Sequence, residues 1–247
     1  MRRIQRIAVD KATQTYLEEQ QAKANQLLSN NSLNVEQKWK AARQTKKMAK
    51  VLVTLQSMMG TRQRCMYCLD SHGCDIEHFR PKTPYPKWMF KWTNLLLCCT
   101  ECGRIKGSQF PLDGRRPLLI DPTKEEPWDY LDFDPITGNM TARFDLQAND
   151  FFTKGQQTVS TLQLDRREAL AAGYVHTYQK LCLVINRFLR TPTQSPDDLI
   201  AELLHEDERG LLGWCFKGAG QNEAPFCQLK TQHQTVWQSC CSAFKYR

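Results

Sequence analysis

The sequence predicts an α+β protein, mainly helical, with a small cysteine-stapled core flanked by N-terminal and C-terminal helices. Three observations predict it. Two matched pairs, Cys65-Met-Tyr-Cys68 and Cys99-Thr-Glu-Cys102, bracket about thirty residues of mixed character. Apolar residues recur at three and four residue steps on both sides of that segment, the period of an amphipathic helix. The chain has 247 residues, 41% of them hydrophobic, and a mean hydropathy of −0.57, which describes a globular protein of one large or two small domains. We divide it into basic N-terminal helices (1–60), a cysteine-bound core (61–115), and wrapping loops with a C-terminal helical region (116–247).

In the first region, Asp10 is placed to cap a helix that runs through Tyr16, Leu17, Leu27 and Leu28 to a stop at Asn30-Asn31. Asn34 with Gln37 predicts a second cap, opening one helix that ends at Gly60 and buries Met48, Val51, Leu52, Leu55 and Met59 on one face. Residues 1–64 hold 13 Lys or Arg against 4 Asp or Glu, so most of the net charge of +8 sits here. Lys46, Lys47 and Lys50 belong to that run, which reads either as a solvated face or as a surface for a polyanion.

The core begins with the sulfurs. Each Cys-x-x-Cys turn presents two thiolates to one ion, and two turns complete the tetrahedral shell of structural zinc. Disulfides are the competing reading. No apolar leader is visible in Met1-Arg-Arg-Ile-Gln-Arg, so we expect a reducing cytoplasm, where disulfides are rare. Cys98 could replace Cys99, but the register favours Cys99, with Cys98 as a small buried apolar residue. Tyr85, Trp88, Phe90 and Trp92 could stack on bases, although in a small zinc fold they are more readily spent on the core.

Beyond the core, the run Pro111 to Pro122 is turn-rich with one short apolar strand, and Asp134-Pro-Ile-Thr-Gly-Asn reads as a hairpin turn. Helices return from Asp150. Asp165 and Glu168 predict a capping box for a long helix carrying Leu170, Tyr174, Tyr178, Leu181, Ile185, Phe188 and Leu189, ended by Thr191-Pro192. Ser195 caps the next, stopped by Gly210. His176, His205 and His233 lack metal-like neighbours, and Cys182, Cys215, Cys227, Cys240 and Cys241 lack paired spacing. No apolar run is long enough to span a bilayer.

Inside the cysteine frame lie Asp75-Ile-Glu-His-Phe-Arg-Pro81 and Asn94-Leu-Leu-Leu. A lone histidine is ordinarily packed or solvated, but His78 has a carboxylate beside it, an arginine two residues on and an asparagine downstream. This pattern resembles the HNH, or ββα-metal, nuclease family. The resemblance implies that His78 is the general base, Glu77 a ligand of a catalytic Mg²⁺ or Mn²⁺, and Asn94 the residue that fixes the loop presenting His78. It places Arg80 and Lys106 on nucleic acid, and makes Cys65, Cys68, Cys99 and Cys102 the Zn²⁺ ligands. The chemistry suits these types. Phosphodiester hydrolysis needs an activated water, a cation to neutralise developing charge, and a base titrating near the working pH, which imidazole supplies. A hard ion that keeps its waters can be held by one carboxylate and the substrate phosphate. Gly103 departs from the pattern, because family members carry Asn or His there; water, Asp75 or another segment would have to serve.

Across residues 1–190 the similarity extends to the HNH subunits of the Septu antiphage type, some of which accompany retrons. It rests on Cys-Met-Tyr-Cys, Ile-Glu-His-Phe-Arg-Pro-Lys, Asn-Leu-Leu-Leu-Cys-Cys, Lys-Gly-Ser-Gln-Phe-Pro-Leu and Leu-Ile-Asp-Pro. It implies an ABC/SMC-like, PtuA-like ATPase partner, in some systems a retron reverse transcriptase with its nucleic acid, and an endonuclease acting on DNA or structured RNA such as transfer RNA. The competing class is a non-catalytic zinc-stabilised module that binds nucleic acid or a partner.

Overall fold

The computed structural model describes residues 1–192 and 194–245. It is mainly helical, with four two-stranded antiparallel sheets among the described residues. Helix α1 (Lys11–Ser29) starts where Asp10 accepts the Thr13 N–H at 3.0 Å and ends at Asn30. The expected second helix is two: α2 (Val35–Arg43), capped by Asn34, and α3 (Lys46–Ser57). The break falls at Gln44-Thr45, because the Thr45 hydroxyl accepts the Met48 N–H and starts a new helix in place of continuing the old one.

Strand β1 (Asp75–His78) pairs antiparallel with β2 (Leu95–Cys98), His78 opposite Leu95 and Asp75 opposite Cys98. Helix α4 (Thr100–Lys106) follows at once, capped by the Cys99 sulfur and ended at Gly107, whose φ of +49° suits glycine. The order is therefore strand, long loop, strand, helix, and α4 lies against β1. Every residue of β2 is buried, which its unbroken apolar run requires.

The wrapping region holds three hairpins: β3 (Leu112–Asp113) with β4 (Arg116–Pro117), β5 (Leu131–Phe133) with β6 (Met140–Ala142), and β7 (Phe144–Asp145) with β8 (Asp150–Phe151). The predicted strand around Leu118 to Ile120 does not form. Leu119 and Ile120 are buried as loop residues instead, and the Ile120 N–H goes to the Thr158 hydroxyl at 3.0 Å. The helices that follow are α5 (Thr153–Leu162), α6 (Glu168–Arg190), α7 (Pro196–Glu206), α8 (Leu212–Lys217), α9 (Phe226–Gln232) and α10 (Gln234–Ala243). Ser195 caps α7 as expected. The Asp165/Glu168 box is absent: Arg167 is the N-cap of α6 and gives no side-chain cap. Its guanidinium is drawn to Cys102 and Glu101.

One continuous apolar core joins the three regions, with Leu17, Val51 and Leu55 from the first, Leu95 to Leu97 from the second, and Leu162, Tyr174, Leu181 and Phe226 from the third. The central segment is thus clamped from outside itself. The Tyr174 hydroxyl donates to the Cys68 carbonyl at 3.1 Å, and Arg209 pairs with Asp70. Of the predicted aromatic core, only Phe90 is buried; Tyr85, Trp88 and Trp92 stay half-buried. No helix among the described residues is long and apolar enough to cross a membrane.

Candidate functional site

The four paired cysteines converge. The sulfurs of Cys65, Cys68, Cys99 and Cys102 all lie within 4.8 Å of one another, and all four residues are buried. Zinc–sulfur bonds of about 2.3 Å set tetrahedral sulfurs roughly 3.8 Å apart, so the cluster could hold such an ion with little movement. Two local devices shape it. A tight turn after Cys65, closed by Leu69 N–H to the Cys65 carbonyl at 2.9 Å, aims the first pair. Position 99 as the N-cap of α4 aims the second, its sulfur accepting the Cys102 N–H at 3.4 Å. Cys98 is buried outside the set, with its thiol on the Cys99 carbonyl at 3.2 Å. Among the described residues no other group of metal-ligating side chains is gathered this way.

Arg167 completes this centre from 65 residues away, its Nη1 3.3 Å from the Cys102 sulfur and its other amino group on Glu101. Although burial works against its charge, these contacts hold its pKa above the usual value. Four thiolates around one Zn²⁺ would leave two surplus negative charges, and a fixed guanidinium offsets part of that charge. Arg167→Met is expected to weaken zinc retention about 10- to 100-fold, the usual cost of losing an outer partner of a ligand. Competition against a chelating dye measures it, and unchanged retention would remove Arg167 from the centre.

Beside the sulfurs lies a second cluster. Glu77 Oε1 accepts from the Lys106 ammonium at 2.8 Å, and that ammonium also donates to the His78 carbonyl at 2.9 Å. The Lys106 side chain is fully buried, so it is spent inside the protein and does not face a phosphate. Burial raises the Glu77 carboxyl above its ordinary pKa, and Lys106 opposes that. The second oxygen, Oε2, faces the bare side of Gly103: a Cβ built there would stand 3.7 Å away. A divalent ion held here would have one protein carboxylate, with its remaining positions left to water and substrate. Asp75 is not in it; its carboxylate is paired with Arg43.

His78 ends β1 with 5% of its surface exposed. Its Nε2 lies 3.0 Å from the Met89 carbonyl, and the edge of the Trp39 ring closes on it at 4.3 Å between centroids. A carbonyl only accepts, so Nε2 carries the proton and Nδ1 keeps the lone pair. Burial lowers the imidazole pKa to about 3, with Lys82 and Lys106 adding to the shift against the Met89 contact. The ring is therefore neutral at ordinary pH. Trp39 also lines an outer cleft of about 600 Å³ with Asn34, Glu36, Gln37, Lys40 and Arg43, so the same indole that covers the imidazole faces this cleft.

Asn94, 2% exposed, pins the intervening loop. Its Oδ1 accepts the Arg80 N–H at 2.8 Å, and its Nδ2 donates to the carbonyls of Arg80 and Trp88 at 3.1 and 3.0 Å. The structure thus joins Lys106 to the Glu77 carboxylate and the His78 backbone, and Asn94 to the Arg80 backbone, on the hairpin that leads into α4. It leaves Lys46, Lys47 and Lys50 on α3, where Lys46 and Lys50 are exposed and no described contact joins them to this cluster. Sequence reasoning missed Trp39, Met89, Arg167 and Gln21, whose amide accepts the Phe90 N–H at 2.8 Å and donates to the Pro86 carbonyl at 3.0 Å. Of these, only Gln21 carried a local hint, as a polar residue on the apolar face of α1.

With this geometry in view, comparison with known proteins finds a relative. The chain is similar to the Septu protein PtuB of Bacillus thuringiensis. The two are 28% identical over 151 residues, an alignment covering 56% of this chain and 54% of that protein. The chain thus spans about half the length of the relative it matches. No protein-family model matches the chain, and no solved structure matches it.

Proposed function

We propose that the chain is a metal-dependent HNH-type endonuclease and the effector subunit of a Septu-like antiphage complex controlled by an ATPase partner. The observation that carries this reading is one juxtaposition. An imidazole with its proton on Nε2 ends a strand next to a carboxylate whose second oxygen faces Gly103, within the segment that the four clustered sulfurs bracket. The likeness to PtuB supports the defence setting and a PtuA-like partner.

In the mechanism His78 Nδ1 takes a proton from the attacking water, with the Met89 carbonyl holding the ring and stabilising the imidazolium that results. Lys106 holds Glu77 Oε1 and leaves Oε2 on the side of Gly103. Glu77 would hold the divalent ion there, which when bound supplies charge neutralisation at the scissile phosphate and the leaving oxygen. Asn94 keeps the loop from collapsing onto the site.

The imidazole is closed over in this structure, so cutting requires α2 to lift Trp39 away. Exposed or half-exposed ion pairs hold both ends of α2: Glu36 with Lys82 at 3.0 Å, and Arg43 with Asp75. Glu36→Lys with Arg43→Glu is expected to raise the cutting rate several-fold and to make His78 reactive toward diethyl pyrocarbonate, mapped by mass spectrometry. An imidazole that stays unreactive in the folded double variant would show that α2 is not the cover that matters.

A non-catalytic zinc-stabilised binding module is the second reading. The buried imidazole, the Glu77–Lys106 pair and the missing side chain at Gly103 favour it. The two separate when the chain is assembled with its ATPase and offered duplex DNA, single strands and transfer RNA with Mg²⁺ or Mn²⁺. The endonuclease reading expects cleavage of at least one of them; binding without cleavage by every assembly would establish the module.

A further inference from the structure

Arg80 lies two residues beyond His78, and its guanidinium is ringed by three aromatic side chains. It stands 5.2 Å from the centre of the Trp88 ring, 5.1 Å from Phe110 and 5.6 Å from Tyr85. The Lys91 ammonium sits on the same Trp88 ring at 4.2 Å. Among the described residues no carboxylate comes within the 4.0 Å of an ion pair to either cation. Two positive charges are therefore held in place by aromatic faces and have no anion of their own.

The backbone beneath them is unusually fixed. Asn94 grips Arg80 by both its N–H and its carbonyl, and grips Trp88 by its carbonyl, so one side chain sets both members of the stack. Gln21 holds the far side through Pro86 and Phe90. Met89, the residue after Trp88, holds the His78 ring. The stacked cations and the imidazole are thus presented by neighbouring residues of one pinned loop. A guanidinium held beside aromatic rings still has N–H groups to donate, and these match phosphate oxygens in pairs.

We propose that Arg80 and Lys91, mounted on Trp88, form a phosphate clamp that grips a nucleic-acid backbone beside His78, with Asn94 and Gln21 as positioning residues. The clamp assigns a binding role to aromatic residues that the sequence assigned to the core, and makes Trp88 a determinant of affinity although it carries no charge. It rests on the nucleic-acid reading of the site but not on cleavage.

The test is equilibrium binding of the full chain to a 30-base-pair duplex DNA and to the corresponding single strand, without added Mg²⁺ or Mn²⁺, across a salt series. For each phosphate that a variant no longer neutralises, the slope of log affinity against log salt falls by about 0.9 on duplex and about 0.7 on single strands. Arg80→Gln and Lys91→Gln are each expected to show one such step. Trp88→Ala, which removes no charge, is expected to show one to two, whereas Trp88→Phe retains most of the slope. Lys230→Gln, which alters a cation over Trp237 on the C-terminal helices, is expected to change nothing. Zinc content and circular dichroism certify each variant as folded, and if Trp88→Ala fails that check, Arg80→Gln and Lys91→Gln decide. Wild-type slopes in Arg80→Gln and Lys91→Gln overturn the clamp, and a wild-type slope in folded Trp88→Ala overturns the role of the ring. Reduced slopes in a chain that cuts nothing would keep the clamp and remove the endonuclease.

Discussion

Cys99→Ala is expected to lose the bound zinc and unfold the segment from residue 61 to 110. The cluster is where the small elements meet: β1 and β2 have four residues each and α4 has seven, and Cys99 both caps that helix and belongs to the sulfur set. Elements this short do not hold themselves together. Structural zinc supplies on the order of 10 kcal/mol of binding free energy that is at the same time folding free energy. Removing one thiolate takes away a large part of it and leaves the remaining sulfurs buried without a complete shell. Metal analysis together with limited proteolysis reads the result, with new cleavage confined to this segment. Cys98→Ala is expected to keep its zinc, because the four sulfurs that lie within 4.8 Å of one another do not include that of Cys98. A folded Cys99→Ala chain with full zinc, or zinc loss in Cys98→Ala alone, would reassign the ligands.

His78→Ala is expected to lower cleavage by about 100- to 10,000-fold, the range of a positioned general base, while zinc content and nucleic-acid affinity stay close to wild type. The separation follows from the contacts. The ring hydrogen-bonds the Met89 carbonyl and packs against Trp39, neither of which belongs to the sulfur set or the Arg80 stack. Its truncation leaves a cavity beneath Trp39 and costs stability of about 1–3 kcal/mol, so melting curves accompany the rate measurement. An unaltered cutting rate in the assembled complex would take His78 out of the mechanism.

Much of the architecture was legible because it is local. Asp10, Asn34 and Ser195 announce helix starts through hydrogen bonds to N–H groups three residues on, and spacing alone chose Cys99 over Cys98. Reading failed where a side chain had two uses. Thr45 reads as an ordinary helical residue, yet its hydroxyl starts α3. Asp165 and Glu168 have the spacing of a capping box, but Arg167 between them takes the cap position, drawn to a sulfur 65 positions away. The half-buried Tyr85 and Trp88 were spent on a cation–ring stack that no pattern of hydrophobicity encodes.

The sequence by itself determined the donor types and their local aim: which four sulfurs stand in pairs, which carboxylate precedes the histidine, and where most helices begin. Those depend on spacing within a turn or two. Only the tertiary structure decided that Trp39 covers His78, that Lys106 is buried on Glu77, and that Arg80 is mounted on Trp88. The reason is that burial, and with it the free energy of a charge or a ring, is set by whichever distant segments pack over a residue, and chain neighbours carry no record of them.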